Sequence, residues 1–305
     1  MESNVMPFAN GVDLSLDELL YYQKQSVKWL PPARSLWSQI LGQHQSRQLG
    51  RGMDFSEVRQ YQAGDDIRAI DWRVTARTGK THTKLFSEER EKPLVLYLDL
   101  SPSMLFGSKL MLKSVLMAHM ASLIAWLTIA QRDRVGAIID TGSQLIELKP
   151  TSRNRGPLIV LQNLVALHAQ LLSQPRLPQS HGFQPALQAL RRLAPKGGEI
   201  VFISDFVRLS ENEKQSLSQL RQHNSVRFIH ICDPLESGST QFRGTEKVSD
   251  GNRNQWLDFS SKQSRQQLEL AFNNKQQGLK TLAQKTGISF CALSSGQPLL
   301  NQISG

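Results

Sequence analysis

The chain has 305 residues, of which 39% are hydrophobic, which suffices for one large α/β domain with additions and excludes a disordered chain. Lysine and arginine total 36 against 26 acidic residues, a net charge of +10, which favours acidic partners: nucleic acid, anionic lipid or an acidic protein surface. The sequence has no zinc-finger spacing and no aromatic RNA-binding signature, which argues against nucleic acid, and its two cysteines exclude a disulfide framework.

The first 48 residues predict a helical extension without visible chemistry. A helical pattern runs from Leu14 to Leu30 and stops at a pair of prolines, and a second short helix is predicted from Ala33 to Leu41. The N-terminus contains acidic residues and lacks a basic start followed by an apolar core. It therefore does not signal secretion.

Residues 49–92 form a segment dense in charge, with a turn predicted at Gly64-Asp65-Asp66 and an exposed strand from His82 to Phe86. Two interpretations stay open. The charged residues can form an ion-pair network that clamps a turn and a hairpin, or the arginines can anchor a partner together with a tryptophan, because Trp and Arg dominate binding hot spots. The candidate partner-binding residues are Arg68, Trp72, Arg73 and Arg77.

A buried strand followed by an acidic, serine-containing loop is the first candidate site. Residues Pro93 to Leu98 are an apolar run of strand length, and Asp99, Ser101 and Ser103 follow at alternating positions. One carboxylate and two hydroxyls at the carboxyl end of a strand suit a hard divalent cation that keeps several of its waters. The alternative is that one of the serines only caps the next helix.

A second acidic residue follows another buried strand. The apolar run that begins at Glu199 ends in Asp205, and a helix is predicted from Ser210 to Gln222. Two strands that each deliver a carboxylate to the same sheet edge indicate a shared site more strongly than either acid does alone. Asp99 and Asp205 are therefore expected to lie close together.

The segment from Leu110 to Ala130 is apolar and nearly long enough to span a bilayer, but it contains Lys113 and His119. It follows the Asp99 loop, where an α/β fold needs a long buried helix, so a core helix is favoured over a transmembrane span. Strands and helices alternate through the rest of the chain, which predicts a sheet covered on both faces. The remaining predictions are strands over 134–141, 144–148, 226–232 and 288–293, helices over 155–172, 184–193 and 264–286, and an inserted hairpin at 238–259.

Two parts of the sequence resemble known families. The pattern Asp99-Leu-Ser101-Pro-Ser103 after a buried strand, with Ile203-Ser204-Asp205 later, resembles the metal-ion-dependent adhesion site of von Willebrand factor A domains. The block from Gly52 to Arg77 is similar to the signature of a bacterial family called domain of unknown function 58. The matching residues are Val58-Arg59-x-Tyr61-x-x-Gly64-Asp65-Asp66-x-Arg68-x-Ile70-Asp71-Trp72, and the stretches Cys232 to Glu236 and Val248 to Asp250 fit that family too.

The resemblance implies a fold and a site. The fold is α/β and von Willebrand factor A-like, a Rossmann-like, doubly wound, mostly parallel sheet over residues 93–305, with a helical extension over 1–48 and the signature segment over 49–92. The metal ligands would be Asp99, Ser101, Ser103 and Asp205, and the metal magnesium or manganese. His181 falls where A domains place a threonine ligand, and imidazole favours manganese or zinc over magnesium.

By the same resemblance, the chain is expected to be a non-enzymatic adaptor that works with a MoxR-type AAA ATPase on a client protein the sequence does not identify. The first alternative is a metal-independent basic docking protein for an acidic protein or lipid surface. The second is a hydrolase using Ser101 or Ser103 with His181 and Asp205, although no G-x-S-x-G elbow is present. The expected location is cytoplasmic, with peripheral contact at the inner membrane left open.

Overall fold

The structure, a computed structural model, describes residues 10–24, 49–87, 92–174, 181–194, 196–238, 242–249 and 254–303. The chain divides into two compact units, one of residues 43–91 and one of residues 1–42 together with 92–305. Helix α1 occupies 16–24, the described part of the helix predicted to begin at Leu14. The predicted helix over 33–41 lies outside the described residues.

The smaller unit is a β-hairpin with a short helix in its connection. Strand β1 (Leu49–Gln60) pairs antiparallel with β2 (His82–Ser87), and helix α2 (Trp72–Thr78) lies between them in sequence. Asp71 begins α2 by accepting hydrogen bonds from two backbone N–H groups of its first turn, and Gly79 ends it in the left-handed conformation. From the sequence, a hairpin was predicted in this segment with β2 as one strand, but the bounds of β1 and the helix α2 were not.

In the part of the chain that the structure describes, six strands form the main sheet of the larger unit. They are β3 (Pro93–Asp99), β4 (Arg134–Asp140), β5 (Leu145–Thr151), β6 (Glu199–Ser204), β7 (Ser225–Cys232) and β10 (Ser289–Ser294). Their spatial order is β10-β7-β6-β3-β4-β5, and every pair of neighbours is parallel except β4 and β5. The chain thus builds one half of the sheet outward from β3 and then returns to build the other half from β6, which is a doubly wound arrangement.

Helices and one small hairpin occupy the connections of this sheet. The helices are α3 (Lys113–Ala130), α4 (Arg155–Leu172), α5 (Gln184–Leu193), α6 (Lys214–His223), α7 (Lys262–Thr286) and α8 (Leu299–Ile303). The inserted hairpin predicted at 238–259 consists of β8 (Thr245–Ser249) and β9 (Asn254–Asp258). The connection between these two strands lies outside the described residues.

The main sheet is covered on both faces. Alternate residues of β3 enter different cores: Leu96 and Leu98 pack in a cluster that includes α1, α3 and α4, whereas Val95 and Tyr97 pack in one that includes α5 and α6. Every residue of β3 is buried, which explains why its sequence is continuously apolar rather than alternating. The prediction of an α/β fold with a mostly parallel sheet and helices on both faces is confirmed.

Helix α3 runs through the larger core. Among the described residues it is the helix with the length and apolar composition to cross a membrane, and 89% of it is buried inside the protein. Its interior polar side chains have partners: Lys113 pairs with Asp205, and His119 Nε2 lies 2.6 Å from Glu18 Oε1 of α1. The segment therefore packs as the core-helix interpretation predicted.

Candidate functional site

The carboxyl ends of β3 and β6 meet at one edge of the main sheet. Leu98 of β3 is in register with Ile203 of β6, so Asp99 lies beside Ser204, and Asp205 follows directly. Both acids are buried. The structure therefore brings together the two acidic residues that the sequence analysis expected at this edge, at the point where the winding of the sheet reverses and ligands of such sheets bind.

Asp99 is held through both of its carboxylate oxygens. Oδ1 accepts hydrogen bonds from the backbone N–H of Ser101 at 3.0 Å and from Nη2 of Arg208 at 2.8 Å. Oδ2 accepts from the hydroxyl of Ser204 at 2.5 Å. A backbone group, a hydroxyl and a cation thus fix the position of this carboxylate from different sides.

The two serines of the candidate loop do not cap a helix. Ser101 precedes a 3-10 turn over Pro102–Met104 without a side-chain capping bond, and the residue before α3 is Leu112. The hydroxyl oxygens of Ser101 and Ser103 lie 3.4 Å apart instead. The capping alternative for these serines is therefore wrong, because the helix begins too far along the chain for either hydroxyl to reach it.

Asp140 is a third acid at this edge, and the sequence analysis did not single it out. It ends β4 in register with Asp99, and its Oδ2 accepts hydrogen bonds from the Tyr97 hydroxyl at 2.7 Å and from Arg208 Nη2 at 2.9 Å. The same Nη2 lies 2.9 Å from the Tyr97 oxygen. A signal for this residue existed in the sequence, because Asp140 follows a buried apolar run just as Asp99 does.

Arg208 is a buried guanidinium anchored on several sides. Its side chain is 8% exposed, Nη1 donates to the backbone carbonyl of His181 at 3.0 Å, and Cζ lies 5.3 Å from the centre of the Phe183 ring. Burial lowers the pKa of Arg208, but the charges around it, Asp99 foremost, outweigh burial and raise it above its usual range. Burial also raises the pKa of Asp99, and the Arg208 charge is the largest influence in the opposite direction.

Asp205 is paired with a second buried cation, which comes from α3. Lys113 Nζ lies 2.8 Å from Asp205 Oδ2 and 2.5 Å from Glu236 Oε1, and the lysine side chain is 1% exposed. The other oxygen of Asp205 accepts from the backbone N–H of Val207 at 3.0 Å. Burial alone would raise the pKa of Asp205, but the lysine charge outweighs burial and lowers it to about 2. The pair is therefore ionised at neutral pH.

Asp233 fixes the loops beside this second ion pair. It is fully buried at the end of β7 and accepts hydrogen bonds from Ser108 in the loop before α3 and, at 2.6 Å, from the Ser295 hydroxyl after β10. Its backbone N–H donates to Glu236 Oε2 at 2.9 Å, so one glutamate binds both Asp233 and Lys113. The stretch from Cys232 to Glu236, which resembles the family signature, thus joins three loops at the same edge of the sheet.

His181 also reaches this edge, but its imidazole contacts a neighbouring turn. Its Nε2 lies 3.3 Å from the backbone carbonyl oxygen of Ser143, in the turn between β4 and β5. In the described part of the chain, no hydrogen bond joins the imidazole to Ser101 or Ser103. The Ser-His-Asp arrangement that a hydrolase would need is therefore not assembled in this structure.

The acids at this edge do not fit a divalent cation as they are arranged. Every carboxylate oxygen of Asp99 and Asp205 already accepts a hydrogen bond, and one oxygen of each faces a side-chain cation. The described residues also contain no group of at least three His, Cys, Asp or Glu side chains placed to hold an ion. Magnesium or manganese would fit only if Arg208 or Lys113 moved, and the metal ligation expected from the sequence stays a prediction.

The backbone is strained in the loop after β6. Phe206 has a φ angle of 53°, in the left-handed region that a bulky residue rarely adopts. Its buried ring centre lies 4.6 Å from that of Phe228. Its backbone N–H donates to Ser204 Oγ at 2.8 Å, and this hydroxyl is the one that binds Asp99. The unusual conformation is thus connected directly to the candidate site.

In the smaller unit, some residues of the charged segment form ion pairs and others are exposed, and partner binding by the exposed ones stays a prediction. Two of its acids form ion pairs, Arg59 Nη2 with Asp65 Oδ1 at 2.7 Å and Lys84 Nζ with Asp71 Oδ2 at 3.6 Å. The residues proposed to bind a partner are exposed, and they are Arg68, Trp72, Arg73 and Arg77. Trp72 is 67% exposed, which is high for so large an apolar side chain.

Comparison with known proteins gives a family without an assigned activity. Residues 57–278 match the family described as "Protein of unknown function DUF58". Uncharacterized proteins of Mycobacterium bovis and Mycobacterium tuberculosis are 30% identical over 197 residues, so this chain matches 60% of the length of these relatives and 64% of its own. Among solved structures, conserved hypothetical protein BatB from Bacteroides thetaiotaomicron has 16% identity and a TM-score of 0.38, over 64% of this chain and 98% of that one. An aerotolerance-related membrane protein from Bacteroides fragilis gives the same values.

Proposed function

This chain belongs to the DUF58 family, and we propose that it is a non-enzymatic adaptor that binds a partner protein at the carboxyl-terminal edge of its main sheet. The proposal includes a von Willebrand factor A-like fold, which is supported by the doubly wound strand order and by the Asp99-Leu-Ser101-Pro-Ser103 pattern after β3. Since family and fold do not by themselves imply a function, binding is inferred from the geometry of that edge.

The observation that carries the proposal is the convergence of three buried acids at the point where the sheet reverses its winding. The loops that follow β3 and β6 expose apolar side chains. These side chains are Phe106, Leu110 and Val207, with exposures of 36%, 37% and 39%. We call them the apolar rim. Apolar contact area around a rigid polar centre gives a partner both affinity and a fixed orientation.

The same geometry argues against catalysis. A general base must accept a proton from a substrate, but Asp99 and Asp205 already face Arg208 and Lys113, respectively. A nucleophilic serine needs a base within hydrogen-bonding reach, and the imidazole of His181 contacts a backbone carbonyl instead. We therefore infer that this edge recognises a partner and performs no reaction.

The proposed partner is a MoxR-type AAA ATPase, which the resemblance of the signature segment suggests, with a client protein as a second partner. Pull-down of that ATPase by the purified chain tests the proposal. The variants Phe106→Glu and Val207→Glu place a charge in the apolar rim, and each is expected to lower recovery by roughly tenfold or more, as for a residue central to an interface.

The control for this pull-down is Trp256→Glu, since Trp256 is a 67% exposed residue of the separate β8–β9 hairpin. It is expected to bind like the wild type. Equal recovery of the rim variants and the wild type would show that the sheet edge is not the binding surface. Recovery with and without EDTA shows in addition whether a divalent cation takes part.

A second candidate function is metal-independent docking of the smaller unit on an acidic protein or on anionic lipid. Its supporting observation is an exposed tryptophan beside the exposed arginines of α2, in a chain with a net charge of +10. Binding to vesicles of anionic lipid is expected to fall steeply with salt and to be weaker for Arg73→Glu. Arg191→Glu, a change on the exposed face of α5, is the control. If the chain bound vesicles of neutral lipid as well as it bound anionic vesicles, that result would count against this docking.

A further inference from the structure

The cations at the sheet edge belong to the protein itself. The side chains of Asp99, Asp140 and Asp205 are at most 5% exposed. Buried carboxylates without a countercharge become protonated or bind a metal ion. Here, Arg208 contacts the first two and Lys113 contacts the third, at 2.8–2.9 Å. The side chains of Arg208 and Lys113 therefore already offset the negative charge of these acids.

Arg208 gathers oxygen atoms around one point as a bound cation does. Its Nη2 lies within 2.9 Å of an oxygen of Asp99, an oxygen of Asp140 and the hydroxyl of Tyr97. These three oxygens come from the ends of two neighbouring strands. The guanidinium thus holds β3 and β4 together at the edge where a metal ion would otherwise join their oxygens.

A metal ion could take this place only after the guanidinium had left it. Departure would break the three contacts of Nη2 and the bond from Nη1 to the backbone carbonyl of His181. It would also leave the buried carboxylates of Asp99 and Asp140 without their countercharge, which is strongly unfavourable. Magnesium would in addition have to lose part of its hydration shell, which it does reluctantly.

The contacts of His181 also favour a guanidinium over a metal ion at this edge. The position that resembles a threonine metal ligand carries an imidazole here, and that imidazole lies against the Ser143 carbonyl. What His181 gives to the site is its backbone carbonyl oxygen, which accepts from Arg208 at 3.0 Å. The residue thus contributes an oxygen that suits a guanidinium rather than a side-chain ligand for a metal.

We propose that Arg208 and Lys113 are built-in replacements for a metal ion, so that this sheet edge is organised without any divalent cation. Arg208 is the positioning residue for Asp99 and Asp140, and Lys113 is the positioning residue for Asp205. The proposal concerns the site alone and does not depend on the adaptor function. A chain that ignores metals and also fails to bind the ATPase would count against that function but not against this proposal.

Titration of the wild-type chain with manganese and with magnesium is the first test. Calorimetry is expected to show no saturable heat at millimolar concentrations of either ion. The midpoint of thermal unfolding is expected to be the same with manganese, with magnesium and with EDTA. Saturable binding of either ion by the wild type, or a lower midpoint in EDTA, overturns the proposal.

The second test removes the guanidinium. Arg208→Ser leaves Asp99 and Asp140 without their countercharge and opens space beside them, so this variant is expected to unfold at a lower temperature. Saturating manganese should then raise its midpoint by about 5 °C or more. Arg191→Ser, an exposed change on α5, serves as the control and should respond to manganese no more than the wild type.

A response of Arg208→Ser no larger than that of Arg191→Ser would overturn the role assigned to Arg208. If Arg208→Ser does not fold, the titration of the wild type still decides between a metal-bound and a metal-free site, because that chain needs no substitution.

Discussion

At the scale of single residues, the placement of charge decides what the sheet edge can do. Taking two ions out of water costs about as much as their attraction returns, so buried pairs are weak evidence for stability, although removing one partner is strongly destabilising. At this edge each acid also accepts a hydrogen bond from a backbone N–H group, at Ser101, Gly142 or Val207. Such additional bonds fix geometry, which is what a recognition surface requires.

The Asp205 carboxylate is expected to contribute to the acid sensitivity of the fold. An acid with a lower pKa in the folded chain stabilises the fold above its unfolded pKa, and this stability is lost as pH falls through the folded pKa. For Asp205 the window runs from roughly pH 4 down to about 2. A shift of this size corresponds to about 2–3 kcal/mol in the free energy of unfolding.

We therefore expect the free energy of unfolding of the wild type to exceed that of Asp205→Asn most above about pH 4, and this excess to shrink toward pH 2. Urea unfolding at a series of pH values measures both curves. Asp17→Asn, an exposed change on α1, provides the control and should run parallel to the wild type. A difference between Asp205→Asn and the wild type that stays constant across this window would contradict the assigned pKa.

Phe206 is expected to combine packing and backbone strain in one residue. Phe206→Ala removes a buried ring and should lower the free energy of unfolding by about 3–5 kcal/mol. Phe206→Gly removes the same ring but also relieves the left-handed backbone, where a side chain costs about 1–2 kcal/mol. The glycine variant should therefore be the more stable of the two by about 1 kcal/mol in urea unfolding. A less stable glycine variant would show that the conformation is not strained.

The sequence predicted single residues at the site only where they follow a buried strand. Asp99 and Asp205 could be found because each ends an apolar run, and Asp140 carries the same signal. Arg208 could not be found, because it lies in a loop and its long side chain returns to the strand ends from there. Such contacts depend on the path of the loop, which no local pattern encodes.

At the scale of elements, the N-terminal helix α1 packs against α3 and makes a buried polar contact with it. Glu18 is 2% exposed, and its Oε1 lies 2.6 Å from Nε2 of His119. The Ser122 hydroxyl of α3 donates to the backbone carbonyl of Leu19 at 2.7 Å, and the Tyr22 ring centre lies 5.6 Å from that of His119. The helix is thus held by directional contacts as well as by the apolar side chains around them.

Removing the carboxylate is expected to loosen α1 from the domain. Glu18→Ala leaves the His119 ring facing a buried gap, and the loss of a buried polar partner costs about 1–3 kcal/mol. Amide hydrogen exchange in a peptide covering α1 should become faster by roughly tenfold or more, whereas exchange in β3 should change little. Asp17→Ala, one residue earlier and exposed, is the matched control. An unchanged rate of amide exchange in α1 of Glu18→Ala would show that apolar packing alone holds this helix on the domain.

The sequence predicted the bounds of an element well where a hydrophobic period is followed by helix-breaking residues. The predicted bounds 155–172 and 184–193 are those of α4 and α5, since both segments are periodic over at least ten residues and are followed by breakers. The bounds of β1 in the predicted hairpin were missed because its sequence, LGRGMDFSEVRQ, lacks apolar alternation. Helix α2 was missed because its seven residues are too few for a helical period to show.

At the scale of the whole molecule, the two compact units differ in what supports them. Both hydrophobic clusters of the larger unit draw their described members from residues 14–22 and 94–303, and none from 43–91. The smaller unit consists instead of a hairpin whose described features are ladder hydrogen bonds, helix caps and ion pairs. The larger unit thus has the core of an independent domain, whereas an isolated hairpin is marginally stable in water.

Replacement of residues 43–91 by a flexible Gly/Ser linker is therefore expected to leave the α/β domain folded. Because no described core side chain is removed, the midpoint of thermal unfolding should stay within about 4 °C of the wild type, with an unchanged helical circular dichroism signal. If the exposed arginines and Trp72 form the docking surface, the shortened chain should also lose its binding to anionic vesicles. Loss of cooperative unfolding on this replacement would show that the signature segment is part of the folding unit of the domain.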